Sequence, residues 1–402
     1  MKTLFDLRER KNPAAYEGIK DFYSEGVRVF DFEDQAITPC IGCWSCWLKT
    51  PGSCIMKDRM SESYWDYVNS DTVILLLDTK QGFINHRGKA FIDRSIPHYH
   101  PYIKLVDGEA QHLSRYDKLP EMIFFFDREG VTEGEALRIE DYLYRTAYQF
   151  QTAGYLIDDL DNPSLRPLLP RPAKRGTVPV DTASPMNKLI IYNGSPRQQN
   201  SNTGLILETL RELLHDRVEI RDLKTRKHWK NWQQKFSEDP HVLFMLPLYV
   251  HSMPSHVMDF IEGLAPSKGS LTFFIQSGFP ESSQSYYLEA YFEQLTKRLK
   301  RVYLGTIIKG GVEGLQARPI QSQQIMIEPM VKIIIELINT GELNKDQLKE
   351  LGKPVRLGTI GKAFLKTGLI NFFWDRQLKA NNAYGLKNQR PHQKTRIIIE
   401  KE

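Results

Sequence analysis

A proline-rich stretch, Asn162 to Met186, divides this 402-residue chain into two segments that repeat one alternation of strand and helix. With Pro163, Pro167, Pro170, Pro172, Pro179 and Pro185, it can neither continue a helix nor serve as a central strand, so it reads as an extended linker. Before it, strands are expected at Lys2 to Leu7, Val27 to Phe32, Thr72 to Leu77, Met122 to Phe126 and Tyr155 to Ile157. Helices are expected over Pro13 to Ser24, Ser61 to Val68, Lys89 to Arg94 and Glu133 to Thr152, with an irregular His- and Tyr-rich insertion over Ser95 to Leu119. After the linker, strands follow at Lys188 to Tyr192, Val218 to Leu223, Val242 to Leu246, Leu271 to Gln276 and Val302 to Ile308. Helices are expected there over Asn202 to Leu214, Ser255 to Leu264, Ser283 to Leu299, Ile327 to Asn339 and Lys345 to Leu351. Such alternation predicts parallel sheets with helices on both faces, and two five-strand units in the same order predict a duplicated doubly wound α/β domain. The expected division is 1–161, linker 162–186, second unit 187–352, and a C-terminal tail 353–402.

All four cysteines, Cys40, Cys43, Cys46 and Cys54, fall in one loop spaced C-x2-C-x2-C-x7-C, among Pro39, Gly42, Pro51 and Gly52. Four thiolates in a turn-rich loop can converge on one centre, as iron-sulfur clusters and structural zinc require. The tight first three resemble the start of a bacterial ferredoxin run more than two zinc knuckles, and redox-active or purely structural thiols are the alternatives. Trp44 and Trp47 would either shield such a centre or serve as core aromatics. Met1-Lys2-Thr3 runs directly into strand-like residues without a secretory leader, so the reducing cytosol is the expected compartment.

At 41% hydrophobic residues, the chain can bury two cores, and no apolar run approaches a membrane span. The net charge of +5 is unevenly placed: Asn344 to Glu402 holds 13 Lys and Arg against 5 Asp and Glu, leaving the remainder net acidic. The basic tail, with Phe364, Phe372, Phe373, Trp374 and Tyr384, is expected to pack its aromatics on the domain, with an acidic electron-transfer protein as the next reading. No nucleic-acid partner is expected. His86, His98, His100 and His112 read as part of a polar insertion packing on itself rather than as a second metal site.

Directly after the strand Lys188 to Tyr192 come Gly194, Ser195, Pro196 and Arg197, and then Ser201, Asn202 and Thr203 open a helix. A glycine turn, three hydroxyls, a guanidinium and a helix N-terminus together make a phosphate cradle, although Ser, Asn and Thr also cap helices without any ligand. The third strand of this unit ends in Pro247, Leu248, Tyr249, Val250, His251 and Ser252, and the fourth in Gln276, Ser277, Gly278 and Phe279. Both ends lie on the cradle edge and suit a planar ring, so a ring with one phosphate suggests FMN. His251 could hydrogen-bond that ring or a substrate, or could simply sit on a loop surface.

The GSPR and SNT pieces at Gly194 to Thr203, PLYVHSMP at Pro247 to Pro254, QSGF at Gln276 to Phe279 and the cysteine run Cys40 to Met60 together resemble the flavodoxin-like NAD(P)H-dependent FMN reductase family, and within it the iron-sulfur flavoproteins. The resemblance runs roughly from Lys2 to Leu351. It implies two tandem flavodoxin-like doubly wound parallel five-stranded sheets, with a helical C-terminal extension. It further implies FMN phosphate on the GSPR loop, the isoalloxazine along the PLY loop, NAD(P)H as co-substrate, and a 4Fe-4S cluster held by the cysteine run in some members. The first unit departs at Asp6-Leu7-Arg8-Glu9-Arg10, which has no glycine and places acids where phosphate would sit, and the second carries the thiol-free Lys224 to Ser237 in place of the cysteine run. Members usually pair as homodimers, so the chain is expected to be an internal pseudo-dimer, itself able to dimerise, with the Cys40 to Cys54 loop over FMN bound by the second unit. The implied function is an oxidoreductase passing electrons to a small molecule or a ferredoxin-like protein. The alternative is a non-catalytic binding or scaffold protein with zinc or redox thiols.

Overall fold

Two parallel sheets, each in the order 2-1-3-4-5 by position in its own unit, organise this computed structural model, which describes residues 1–9, 19, 26–32, 36–160, 163, 180–353 and 371–394. In the first unit the strands are β1 (Lys2–Asp6), β2 (Val27–Asp31), β3 (Thr72–Leu77), β6 (Glu121–Phe126) and β7 (Tyr155–Asp159), ordered β2-β1-β3-β6-β7. In the second they are β8 (Leu189–Asn193), β9 (Val218–Asp222), β10 (His241–Pro247), β11 (Ser270–Gln276) and β12 (Val302–Lys309), ordered β9-β8-β10-β11-β12. This is the flavodoxin-like strand order, whose ligands bind beyond the carboxyl ends of the strands where the order reverses. Strand β3, Thr-Val-Ile-Leu-Leu-Leu, is buried at every position, as a central parallel strand covered on both faces must be.

Helices follow the strands in the same sequence: α1 (Ser45–Leu48), α2 (Arg59–Asn69), α3 (His86–Asp93) and α4 (Glu133–Gln149) in the first unit, and α5 (Asn202–Leu214), α6 (Trp229–Lys235), α7 (Ser255–Glu262) and α8 (Tyr286–Arg298) in the second. Helix α4 starts at a capping box in which Thr132 and Glu135 satisfy each other's backbone N–H groups. Helices α9 (Ile320–Thr340) and α10 (Lys345–Leu351) close the second unit, and α11 (Phe372–Ala380) belongs to the tail. No helix among the described residues is long and apolar enough to cross a membrane. The expected helix Pro13 to Ser24 and most of the linker lie outside the described residues.

One expectation needs correction. Within the insertion Ser95 to Leu119 lies a regular antiparallel hairpin, β4 (Tyr99–Val106) and β5 (Glu109–Ser114), not irregular chain. Its loop is Asp107-Gly108, both at positive φ (49° and 87°), the two-residue turn whose twist matches paired strands.

The two units meet through equivalent helices. The amide of Ser255, first in α7, donates to Asp93 Oδ2, last in α3, at 3.0 Å, and the amide of His86, first in α3, donates to Glu262, last in α7. Likewise Glu135 near the start of α4 pairs with Arg298 at the end of α8, while Arg145 late in α4 lies 5.7 Å from the Tyr287 ring centroid early in α8. Contacts that repeat with partners exchanged are the mark of an isologous, two-fold interface, here formed within one chain.

Candidate functional site

The turn after β8 is built for close approach to a ligand. Asn193 Oδ1 accepts from Ser195 N at 3.0 Å, and Asn193 Nδ2 in turn donates to Asp222 Oδ1 at 2.6 Å. A Cβ on Gly194 would stand 2.4 Å from Leu246 Cδ2 and 2.8 Å from Val257 Cγ2, so only glycine lets the turn lie this close to β10 and α7. Ser201 caps α5 by accepting from Gly204 N at 3.0 Å. The N–H groups of Asn202 and Thr203, next in the helix, donate to none of the described residues, which leaves the first turn open to an anion. Arg197 forms no salt bridge among the described residues, although its charge acts on the Glu313 carboxyl, and its guanidinium lies 4.7 Å over the Trp44 ring of the first unit. The cradle residues Gly194, Ser195, Pro196, Arg197, Ser201, Asn202 and Thr203 thus surround one donor-rich turn, with the Glu313 carboxyl in electrostatic range of Arg197. That donor set fits a phosphate-bearing cofactor.

The loop after β10 is strained. Tyr249 and Ser252 exchange both backbone hydrogen bonds, at 2.8 and 3.0 Å, around Val250 and His251 at φ 41° and 57°. Two residues at positive φ make a mirror-image turn that favours Asn-Gly, and a β-branched residue there is a genuine outlier. Pro247, Leu248, Tyr249 and Val250 stay partly open to solvent, while Ser252 is buried. His251 does not face this opening: its ring is buried at the junction of the units, Nε2 3.0 Å from Gln149 Oε1 and Nδ1 3.3 Å from the Gln284 carbonyl. Burial pushes its pKa well down. Beyond β11, Gln276 donates to Thr203 Oγ1 and Ser277 N to the Lys309 carbonyl at 3.0 Å, which ties this turn to the cradle. A Cβ on Gly278 would stand 2.3 Å from Glu313 Oε2, and Phe279 packs on His112 of the hairpin with ring centroids 5.1 Å apart.

The cysteine loop of the first unit packs directly on this edge. Gly42, at φ 62°, approaches Tyr249 so closely that a Cβ would lie 2.2 Å from its hydroxyl oxygen and 3.5 Å from Arg197 Cδ. Burial pushes the Cys40 thiol up to about 12, with Asp93 and the neighbouring thiols adding to it, and pushes Cys46 well up. The thiols of Cys43 and Cys54 lie near enough to Cys40 and Cys46 to add to the upward shift of both. Among the described residues no group of three or more His, Cys, Asp and Glu side chains could hold a metal ion. Their surroundings differ: Cys46 belongs to a small cluster with Trp47 and Trp374, Cys54 packs against the main core, and Cys43 is exposed.

Of the aromatics expected to pack the tail on the domain, only Trp374 among the described residues does so, while Phe372, Phe373 and Tyr384 are exposed. Trp374 of α11 is buried edge-on against Trp44 and Trp47, at 5.6 and 5.5 Å, and Tyr102 of the hairpin donates to Asp375. The histidines of the insertion are likewise structural: His98 stacks on Tyr67 at 4.4 Å, and His112 lies between Trp47 and Phe279. His86 instead reaches across to Glu262, with Nδ1 2.8 Å from Oε2. Sequence reading passed over Lys89, Asp93 and Glu313. The first two are an i,i+4 pair that looks like ordinary solvated helix charge, and no spacing rule marks the third.

No protein-family model matches this chain, and no curated protein matches it. Among solved structures, it is similar to an NADPH-quinone reductase from P. pentosaceus (14% identity, 37% of this chain and 96% of that one, TM-score 0.29). It is similar also to an FMN-dependent NADH-azoreductase from Bacillus anthracis in complex with FMN (15%, 38% and 100%, TM-score 0.31) and to an NADH:FMN oxidoreductase (13%, 42% and 97%, TM-score 0.30).

Proposed function

We propose that this chain is an FMN-dependent oxidoreductase in which the second unit holds the cofactor and the first covers it. The observation that carries this reading is the donor-rich turn after β8, at the switch point of a 2-1-3-4-5 sheet. Among the described residues, the N–H groups of Asn202 and Thr203 donate to no partner there, Arg197 forms no salt bridge, and Gly194 leaves no room for a side chain. The phosphate lies on Gly194 to Thr203, and the ring edge is met by Pro247 to Ser252 and Gln276 to Phe279. Bound FMN would supply electron exchange with NAD(P)H on one side and an acceptor, a small molecule or an electron-transfer protein, on the other. The protein's residues bind the phosphate, flank the ring with Tyr249 and exclude water with the Gly42 loop. In this reading the cysteine loop stands against the flavin edge through the contact of Gly42 with Tyr249, and the four thiols are the residues that would converge to hold a metal or cluster if one is bound.

Titration of apo-protein with FMN, followed by flavin fluorescence, should saturate at one FMN per chain. Ser195→Glu with Arg197→Glu should weaken binding by about 100-fold, since each places a carboxylate against the phosphate. Unchanged affinity in that variant would refute the placement. NADH or NADPH oxidation by the loaded protein tests the reaction class, and iron and zinc assays of anaerobically purified protein test whether the cysteine loop holds metal.

A further inference from the structure

Under the internal two-fold, α3 and α7 are equivalent eight-residue helices, so Lys89 corresponds to Met258 and Asp93 to Glu262. The acids play matching parts, each accepting the first amide of the opposite helix. The other pair does not match. Met258 is a buried apolar side chain, whereas Lys89, fully buried, donates from Nζ to Asp93 and, at 2.9 Å, to the carbonyl of Tyr249. An ammonium taken out of water in this way is retained only where its partners are fixed. Here the partners lie at both ends of one strained loop of the other unit: Lys89 holds the carbonyl before Val250, and Asp93 holds the amide of Ser255 after Pro254.

We infer that Lys89 and Asp93 are positioning residues with which the first unit clamps the 249–254 loop of the second into its positive-φ form, so that the unit lacking a phosphate turn sets the ring-binding geometry of the unit that has one. The loop's conformer is costly to an L-residue, and its own two backbone bonds join Tyr249 to Ser252 only. The clamp supplies the remaining constraint across the interface. The inference rests on the FMN reading for its functional meaning, but the clamp itself is measurable without flavin.

The test is the double variant Lys89→Met/Asp93→Leu, which removes both charges together and so leaves no buried unpaired ion. Met is the residue that already stands at the equivalent position 258. In apo-protein, amide hydrogen exchange over residues 248–255 should quicken at least tenfold while the sheet strands keep their protection. FMN should then bind at least tenfold more weakly. Glu262→Gln, which alters the reciprocal cap on the flavin-free side, should change neither. If the double variant does not fold, Lys89→Gln keeps a neutral donor for the Tyr249 carbonyl and should give a smaller acceleration in the same segment. Unchanged exchange in the folded variants overturns the clamp. Wild-type protein that binds no FMN, together with accelerated exchange in the variant, overturns the flavin reading and leaves the clamp standing.

Discussion

The turns after β1 and β8 begin with the same device and finish in opposite chemistries. Asp6 Oδ1 accepts from Arg8 N at 3.2 Å as Asn193 Oδ1 accepts from Ser195 N at 3.0 Å, and Leu7 N reaches the Leu76 carbonyl as Gly194 N reaches that of Met245. Where the second unit then leaves donors open, the first closes on itself. Arg8 is buried in a salt bridge to Asp6, and Glu9 is tied to Lys80, which stands at the place of Tyr249. The glycine has also moved. Leu7 occupies the position of Gly194, and Gly88, where a Cβ would stand 2.7 Å from Leu77 Cδ2, the position of Val257. The two units thus differ in which of two equivalent positions carries the glycine, while the strand order is the same.

That difference gives the largest expected effect. Gly194→Leu should abolish FMN retention and cost about 1–3 kcal/mol of stability, because its side chain meets Leu246 and Val257. Adding Val257→Gly, which copies the first unit, should recover part of the stability with a coupling of about 1 kcal/mol or more and still fail to restore FMN. Denaturant unfolding and flavin content measure the two separately. A double variant that regains FMN would mean that the glycine is not what separates the two turns.

The repeated alternation was legible because a buried parallel strand is written as a continuous apolar run, and Thr72 to Leu77 is identical in sequence reading and structure. The cradle was legible because glycine, hydroxyls and a helix start fall within ten residues. The hairpin was missed because His, Tyr and Lys hid its alternation, although Asp107-Gly108 signalled the turn. The cysteine spacing is less decisive than the strand runs or the cradle. Spacing limits which thiols can converge, but neighbouring packing decides whether they do, and the Trp374 that engages Cys46 lies more than 300 residues away in sequence. Lys89 and Asp93 could not be recognised because their importance lies in what the other unit places against them.

The acid cluster that fills the vacated side should make one half of the interface sensitive to pH. Burial alone would lower the His86 pKa, but its hydrogen bond to Glu262, with Asp259 and Glu9 nearby, outweighs that and raises it. Lys80, also in the cluster, is held above its ordinary value and stays charged. A raised folded pKa stabilises fully below the unfolded value, about 6.5, and that contribution is lost as pH rises through the folded value. His86→Gln should therefore cost more stability at about pH 5.5 than at about pH 9. The equivalent residue in α7 is Ser255, so the matching position near the cradle has no such titration. A wild-type to variant gap that stays constant with pH would remove the asymmetry.

The smallest effect concerns the two mirror-image turns. In the first unit, Lys80 and Phe83 flank Gln81 and Gly82 at φ 51° and 72°; in the second, Tyr249 and Ser252 flank Val250 and His251 at 41° and 57°. One turn thus has a glycine where it needs one, and the other has a β-branched residue and a buried imidazole. Holding such residues at positive φ costs of order 1–3 kcal/mol, and Asn relieves part of that by tolerating the left-handed region. Val250 also packs against the core, so replacing its apolar side chain with a polar one offsets some of the relief. Val250→Asn should then stabilise the apo-protein by about 0.5 kcal/mol, whereas Gln81→Asn, with no β-branch to relieve, should change it by less. Equal gains at the two sites, measured by urea unfolding, would show that the second turn stores no more strain than the first. A larger gain at Val250 would mean that the cofactor-side loop keeps its shape against its own backbone preference, which is the condition under which an external clamp is needed.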